Sequence, residues 1–183
     1  MTTAAAPALT LWTIDATHTE AGFAVKHLMI STVRGRFSDV QGTVTFDPAD
    51  LATGSAEITI NTASIDTRQG QRDEHLRSAD FFDVEKFPSI VFKSRAVQAL
   101  KGASFQLVGD LTIKDVTRSV TLDVESAGLQ KDPWGGERAG FSAHTKISRK
   151  DFGLVWNQVL ETGGVAVGDE VKITLDVELV QAK

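Results

Sequence analysis

Hydrophobic and polar residues alternate along five segments of the chain. In the segment 171–179, Val171, Ile173 and Leu175 fall on one face, and a polar residue follows each of them. The same period of two runs through residues 56–61, 105–113, 120–125 and 141–147. Strict alternation is typical of antiparallel strands with one dry face and one wet face. The pattern therefore predicts a protein that is almost entirely β.

Weaker strand patterns complete the series, at residues 11–15, 23–27, 36–46 and 89–97. Gly42 and Gly109 fall inside strand patterns, where glycine often marks a bulge or a sharp bend. Many short strands separated by turn residues indicate either a closed barrel or a sandwich.

Two segments interrupt the period of two. Residues 67–82 are rich in charge and poor in β-branched residues, which favours a short helix. Its predicted apolar stripe consists of Asp73, His75, Leu76, Ala79 and Phe82. The second interruption, residues 148–168, is predicted to be a short helix or an irregular loop.

Composition narrows the classes of protein. The 183 residues are 42% hydrophobic and 23% charged, which fits a single globular domain over residues 11–183. The chain has no cysteine, which excludes disulfides and thiolate chemistry. A formal net charge of −5 disfavours binding to nucleic acid.

The first ten residues predict a flexible tail. Residues 1–10 read MTTAAAPALT, without the basic start and long apolar run of a signal peptide. Elsewhere the sequence has no apolar run of the length that a membrane helix needs. We therefore expect a cytoplasmic protein.

Catalytic and metal-binding patterns are weak. The four histidines are His18, His27, His75 and His144, and none has the spacing of a metal pair. No nucleophile elbow, phosphate loop or dinucleotide fingerprint is present. We expect no enzyme activity, no metal and no cofactor. The alternatives are an enzyme with a His/Asp site at the mouth of a barrel, using Asp15, His18 or His27, and a stress-related scaffold with an incidental ligand.

Five motifs carry a family resemblance. They are WTIDATHTE at residues 12–20, FAVKHLMISTVRGRF at 23–37, SIDTRQGQRDEHLRSADFFDVEKFPSIVFKS at 64–94, GDLTIKDVTRSVTLDV at 109–124 and RKDFGLVWN at 149–157. In this order they resemble the YceI family, the bacterial polyisoprenoid-binding proteins. Asp115 and Ser119 depart from the residues that are common in the family, glycine and proline.

The resemblance implies an all-β fold, an extended antiparallel barrel of about eight strands. It is lipocalin-like, with one short helix within residues 67–82 covering an opening. The resemblance also implies a lumen that binds a long isoprenoid, polyprenyl or quinone, or a similar amphiphilic lipid, for storage, transfer or sequestration. A homodimer and transient contact with a membrane are further expectations.

The dry faces of the strands would line this lumen. Alternation alone leaves open whether side chains fill the lumen or a ligand occupies it. Small inward residues and the family resemblance favour a ligand channel. His27 is either a core histidine bonded to backbone or a polar contact for a ligand head group. The predicted ligand-binding residues are Phe23, Val25, His27, Phe37, Val44, Ile58, Phe92, Phe105, Leu107, Leu111, Leu122, Phe141, Ala143, Trp156, Ile173 and Leu175.

Overall fold

A computed structural model describes residues 8–183, so residues 1–7 of the predicted tail lie outside the described part. The strands are β1 (Thr10–Ile14), β2 (Glu20–His27), β3 (Ser31–Phe37), β4 (Val40–Asp47), β5 (Asp50–Asn61), β6 (Ile65–Asp66), β7 (Ser89–Lys101), β8 (Ser104–Ile113), β9 (Val116–Lys131), β10 (Glu137–Ser148) and β11 (Val167–Gln181). One α-helix, α1, covers Gly70–Arg77, and 3₁₀ turns cover Thr62–Ser64 and Arg149–Phe152. Within residues 8–183, no helix has the length and apolarity needed to cross a membrane.

Eight strands form a closed antiparallel barrel in the order β1-β4-β5-β7-β8-β9-β10-β11. Strand β11 completes the ring by pairing with β1, where Gln181 lies opposite Trp12. Inward and outward residues alternate along the wall, as in β5, because each strand has one face toward the interior. The prediction of an eight-strand barrel is confirmed, and the alternative of a sandwich is wrong.

Consecutive strands of the wall pair with different neighbouring strands at two places in the chain. Strand β1 pairs with β11 and β4, whereas β2 pairs with β11 and β3. Strand β3 pairs with β2 and β6, whereas β4 pairs with β1 and β5. The predicted single strand at 36–46 is therefore wrong, because the chain exchanges one set of partners for another at Ser38 and Asp39.

The two glycines within strands have different surroundings. Gly109 lies opposite Ser94, where the register of β7 shifts, and a Cβ there would lie 2.5 Å from the Phe92 ring. Gly42 lies in a regular stretch of the β4–β5 register, so it marks no bulge. A Cβ at Gly42 would lie 2.9 Å from the Cα of Ile58, and this close approach requires glycine.

Helix α1 lies inside the predicted helical segment. Its predicted apolar stripe is wrong at two positions. Asp73 is buried as a hydrogen-bond acceptor for the backbone N–H of Thr67, at 2.9 Å, and for the Thr67 hydroxyl. Ala79 follows the helix and is exposed. Arg77 anchors the helix by donating to the carbonyl oxygens of Ala63 and Ile65, at 2.9 and 2.8 Å.

Buried apolar clusters mark the two ends of the barrel. At one end, the Trp12 end, the Trp12 ring stacks on Phe46 with centroids 5.2 Å apart, next to Ala139 and Leu179. The other end, the helix end, is packed with Ile65, Phe81, Phe152 and Leu154. The Arg149–Phe152 turn lies at this end, and the residues after it are largely irregular up to β11.

Candidate ligand cavity and its polar notch

The inward side chains enclose an apolar cavity of about 280 Å³. Phe46 and Leu51 line it toward the Trp12 end, and Leu76 and Phe81 line it toward the helix end. Its volume is close to the lower limit of about 300 Å³ for small-molecule pockets. Its wall includes five polar residues: Thr19, Glu20, Ser55, Thr145 and Arg149.

Most of the predicted ligand-binding residues line this cavity. They come from nine strands, and the alternation of each strand turns them to the same interior. These fourteen residues are Phe23, Val25, Phe37, Val44, Ile58, Phe92, Phe105, Leu107, Leu111, Leu122, Phe141, Ala143, Ile173 and Leu175. Their role in binding a ligand stays a prediction.

Two predicted ligand-binding residues lie elsewhere. His27 is exposed, opposite Ser31 at the last pair before the β2–β3 turn, so it is neither a core histidine nor a contact within the cavity. Trp156 lies outside the lining and packs on His75 and Phe81, with centroids 4.7 and 5.4 Å away. Trp156 therefore supports Phe81, which itself lines the cavity.

Sequence reasoning missed the lining residues outside the alternating strands. Ile65, Leu76, Phe81, Phe82 and Leu154 close the helix end of the cavity. Their segments have no period of two, so the alternation could not identify their inward side. The available signal was the presence of apolar side chains in otherwise charged segments.

Arg149, also missed, is a buried cation in the wall of the cavity. Its N–H groups donate to four carbonyl oxygens, those of Leu154, Trp156, Val167 and Gly168. Burial lowers the pKa of this guanidinium, and the charge of Asp169, 3.6 Å away, opposes that effect. Because its donors are engaged, Arg149 fastens the irregular segment across the helix end.

Outside the wall, a charged cluster joins the end of β1 to β10 and β11. Arg138 Nη1 lies 2.7 Å from Asp15 Oδ2 and also donates to Glu178, while Arg138 Nε lies 3.2 Å from Asp132. Hydrogen bonds from Thr17, His18 and Arg138 hold the pKa of Asp15 well below its ordinary value. Asp15, His18 and Glu178 are close enough together to hold a metal ion. Arg138 already donates a hydrogen bond to both carboxylates, so each has a cationic partner without an ion.

A polar notch lies beside the β1–β2 and β3–β4 connections, where consecutive strands pair with different neighbours. We define the notch by the residues that line it: Ala16, Thr17, His18, Thr19, Glu20, Arg36, Phe37, Ser38 and Asp176. Three of these, Thr19, Glu20 and Phe37, also line the apolar cavity. The notch therefore adjoins the cavity at the side of the barrel. His18, the histidine of the predicted His/Asp site, lies here with Nδ1 3.0 Å from Asp15 Oδ2, and Asp15 raises its pKa.

Comparisons with known proteins give the family. Residues 12–179 match the YceI-like domain family. Protein YceI of Escherichia coli O157:H7 is 42% identical over 166 residues, which cover 91% of this chain and 83% of that protein.

Solved structures have the same fold. Burkholderia cenocepacia BcnA superposes with a TM-score of 0.78 at 28% identity, over 90% of this chain and 98% of that one. The Campylobacter jejuni YCEI protein gives 0.75 at 34% identity, over 93% and 97%. A polyisoprenoid binding domain from Saccharophagus degradans gives 0.70 at 14% identity, over 93% and 98%, and at that identity it supports the fold alone. The family match and the shared barrel place this chain in the YceI-like domain family.

Proposed function

We propose that the protein binds a long isoprenoid chain, polyprenyl or isoprenoid quinone, or a similar amphiphilic lipid, in its barrel. The observation that carries this proposal is the apolar cavity, which reaches from Leu51 at one end to Phe81 at the other. A wall of this composition offers an alkyl or prenyl chain dispersion contacts and few hydrogen bonds. The fold shared with the polyisoprenoid binding domain from Saccharophagus degradans is consistent with such a ligand.

The energetics of a prenyl chain favour storage, transfer or sequestration. Each five-carbon unit gains roughly 4 kcal/mol on leaving water, at ~0.8 kcal/mol per carbon. Six units would exceed the practical affinity limit of about 18 to 21 kcal/mol, so such a lipid does not equilibrate through free solution. The barrel competes with a bilayer, whose interior is about as apolar. Shape, packing and a few polar contacts then decide the preference.

Extraction of the purified protein tests the proposal. Protein from its native host is extracted with organic solvent, and the extract is identified by mass spectrometry. We expect one class of isoprenoid or similar lipid in a fixed ratio to protein. Delipidated protein should gain thermal stability when polyprenol is added, because a ligand that binds only the folded state stabilises it. No lipid in the extract, together with no thermal shift with any prenyl lipid, would contradict the proposal.

We further propose that this is a binding protein and not an enzyme. The Asp15–His18 pair has the residue types of a catalytic dyad, but Asp15 is already engaged by Arg138. Recovery of a bound prenyl lipid chemically unchanged after incubation with the protein is the expected result. Turnover that His18→Asn abolishes would contradict it.

Location and assembly stay predictions. The cytoplasmic location expected from the sequence is tested by cell fractionation. Transient membrane contact is tested by flotation with lipid vesicles, and the homodimer by light scattering of the purified chain.

A further inference from the structure

The notch offers polar groups to a ligand held in the apolar cavity. Elsewhere in the wall, the Thr145 hydroxyl donates to the carbonyl oxygen of Thr121 at 2.8 Å, Arg149 is engaged by four carbonyl oxygens, and Ser55 is exposed. Thr19, Glu20 and Phe37 belong to the linings of both the cavity and the notch. A lipid whose chain fills the cavity would therefore reach polar partners through this side of the barrel.

Two carboxylates face each other across the wall at the notch. Asp176 of β11 is the direct register partner of Glu20 of β2. Both are exposed and lie on the outer face. Like charges directly opposite on neighbouring strands destabilise a sheet. Among the ion pairs of residues 8–183, Asp176 forms none, so no cationic side chain of these residues pairs directly with its carboxylate.

The cations of the notch are already paired. Arg36 lies 3.3 Å from Glu20 and 3.7 Å from Asp66, so two carboxylates share one guanidinium. His18 Nδ1 lies 3.0 Å from the carboxylate of Asp15, whose negative charge offsets the positive charge of a protonated His18. The notch is lined by the carboxylates of Glu20 and Asp176, and its two cations also pair with Asp15 and Asp66. Carboxylates therefore outnumber cations around the notch, and the net charge there is negative.

We propose that the notch receives the head group of the bound lipid and selects a head that carries no negative charge. This inference rests on the proposed function. Carboxylate oxygens accept hydrogen bonds, so the head that fits is a donor, a hydroxyl or an ammonium group. A phosphate or diphosphate head would meet Asp176 and Glu20, while Arg36 is already shared by Glu20 and Asp66.

Three lipids with one chain and different heads test the selection. Geranylgeraniol, geranylgeranylamine and geranylgeranyl phosphate are titrated into delipidated protein, and their dissociation constants are compared. We expect the alcohol and the amine to bind at least about fivefold more tightly than the phosphate, the size of one surface charge interaction. Salt at about 1 M should reduce the difference, because it screens exposed charges. A phosphate that binds as tightly as the alcohol overturns the inference. Failure of all three to bind would instead contradict the proposed function.

Variants of the notch locate the effect. Asp176→Asn and Glu20→Gln should each improve phosphate binding several-fold and so reduce the preference for the alcohol over the phosphate. Asp123→Asn is the matched control, because Asp123 is an exposed acid on the outer wall away from the notch. Asp123→Asn removes one negative charge, as each notch variant does, and it should not change phosphate binding. The proposal is overturned if the notch variants, with normal melting temperatures, bind phosphate no better than the control does.

Discussion

Arg138 on β10 and Asp15 at the end of β1 are joined by a hydrogen bond of 2.7 Å across 123 positions of sequence. The same guanidinium donates to Glu178 and Asp132. This cluster ties the first strand of the barrel to β10 and β11 beside the Trp12 end. Three carboxylates therefore depend on one cation, and the stability of the closure should depend on pH.

Acid should weaken the closure through Asp15. The pKa of Asp15 is lowered by its hydrogen bonds from an ordinary 3.8, so the unfolded chain takes up its proton at a higher pH than the folded protein does. Asp15 therefore stabilises the fold above the unfolded pKa, and this contribution is lost as pH falls toward the folded pKa. The free energy of unfolding of the wild type should fall between about pH 5 and pH 2 more steeply than that of Asp15→Asn. Chemical denaturation at a series of pH values measures this, with Asp123→Asn as the control. Parallel pH profiles for the wild type and Asp15→Asn would contradict the prediction.

The alternating strands were predictable because each has one face in the cavity and one in water. Leu122 and Asp123 differ in exposure because they are neighbours in a strand, and neighbours point to opposite faces. The same rule failed at His27, because the hairpin carries the end of β2 to an exposed position. It could not find Arg149, whose role depends on four carbonyl oxygens in a segment without a period. The notch could not be predicted from the sequence either, because it is formed by residues 16–20, 36–38 and 176, which only the strand pairing brings together.

The two faces of β9 should respond differently to charge. Leu122→Asp places a carboxylate in the apolar cavity, where it has no partner, and should cost several kcal/mol. Asp123→Ala removes an exposed side chain and should change stability by less than about 0.5 kcal/mol. Urea denaturation of both variants measures the difference. Equal free energies of unfolding would mean that the faces are assigned the wrong way round.

Arg149 should not be replaceable by lysine. The lysine ammonium is a compact charge with three donors, so it cannot reach the four carbonyl oxygens that the planar guanidinium bridges. Buried carbonyls without partners then cost free energy, and we expect Arg149→Lys to destabilise by about 2–4 kcal/mol. Lys150→Arg, at the neighbouring half-exposed position, is the control. Unchanged melting of Arg149→Lys would show that Arg149 does not fasten this segment.

The buried hydroxyl of Thr62 offers a stabilising change. Thr62 is 1% exposed, and its Oγ1 has no hydrogen-bond partner among the described residues. Valine has nearly the same shape and carries no polar atom, so Thr62→Val should stabilise the fold by about 1 kcal/mol. The backbone N–H of residue 62 still donates to Pro88 in the variant. Thr59→Val, at an exposed position of β5, is expected to have little effect. A loss of stability in Thr62→Val would imply that the hydroxyl has a partner, such as a buried water molecule.

Ala143→Phe tests whether the cavity holds a ligand or is a loosely filled core. Ala143 is buried on the inward face of β10, among Phe92, Leu122 and Val124. A phenyl ring there would enter the space that the lipid chain is proposed to occupy. In a filled core this substitution would overpack the interior and destabilise by roughly 1–3 kcal/mol. In an open channel the ring has room, so the melting temperature of the variant without ligand should be close to that of the wild type without ligand.

The comparison is made on delipidated protein, with and without polyprenol. Wild-type protein should gain stability with the lipid, by about 2.7 kcal/mol at a hundredfold excess over the dissociation constant. Ala143→Phe should lose this gain, because the ring occupies the path of the chain. Ser142→Phe places the same ring on the exposed outer face of the same strand, and it should keep the gain. A variant that is badly destabilised when empty, beside a wild type that gains nothing from any prenyl lipid, would identify the barrel as an ordinary filled core.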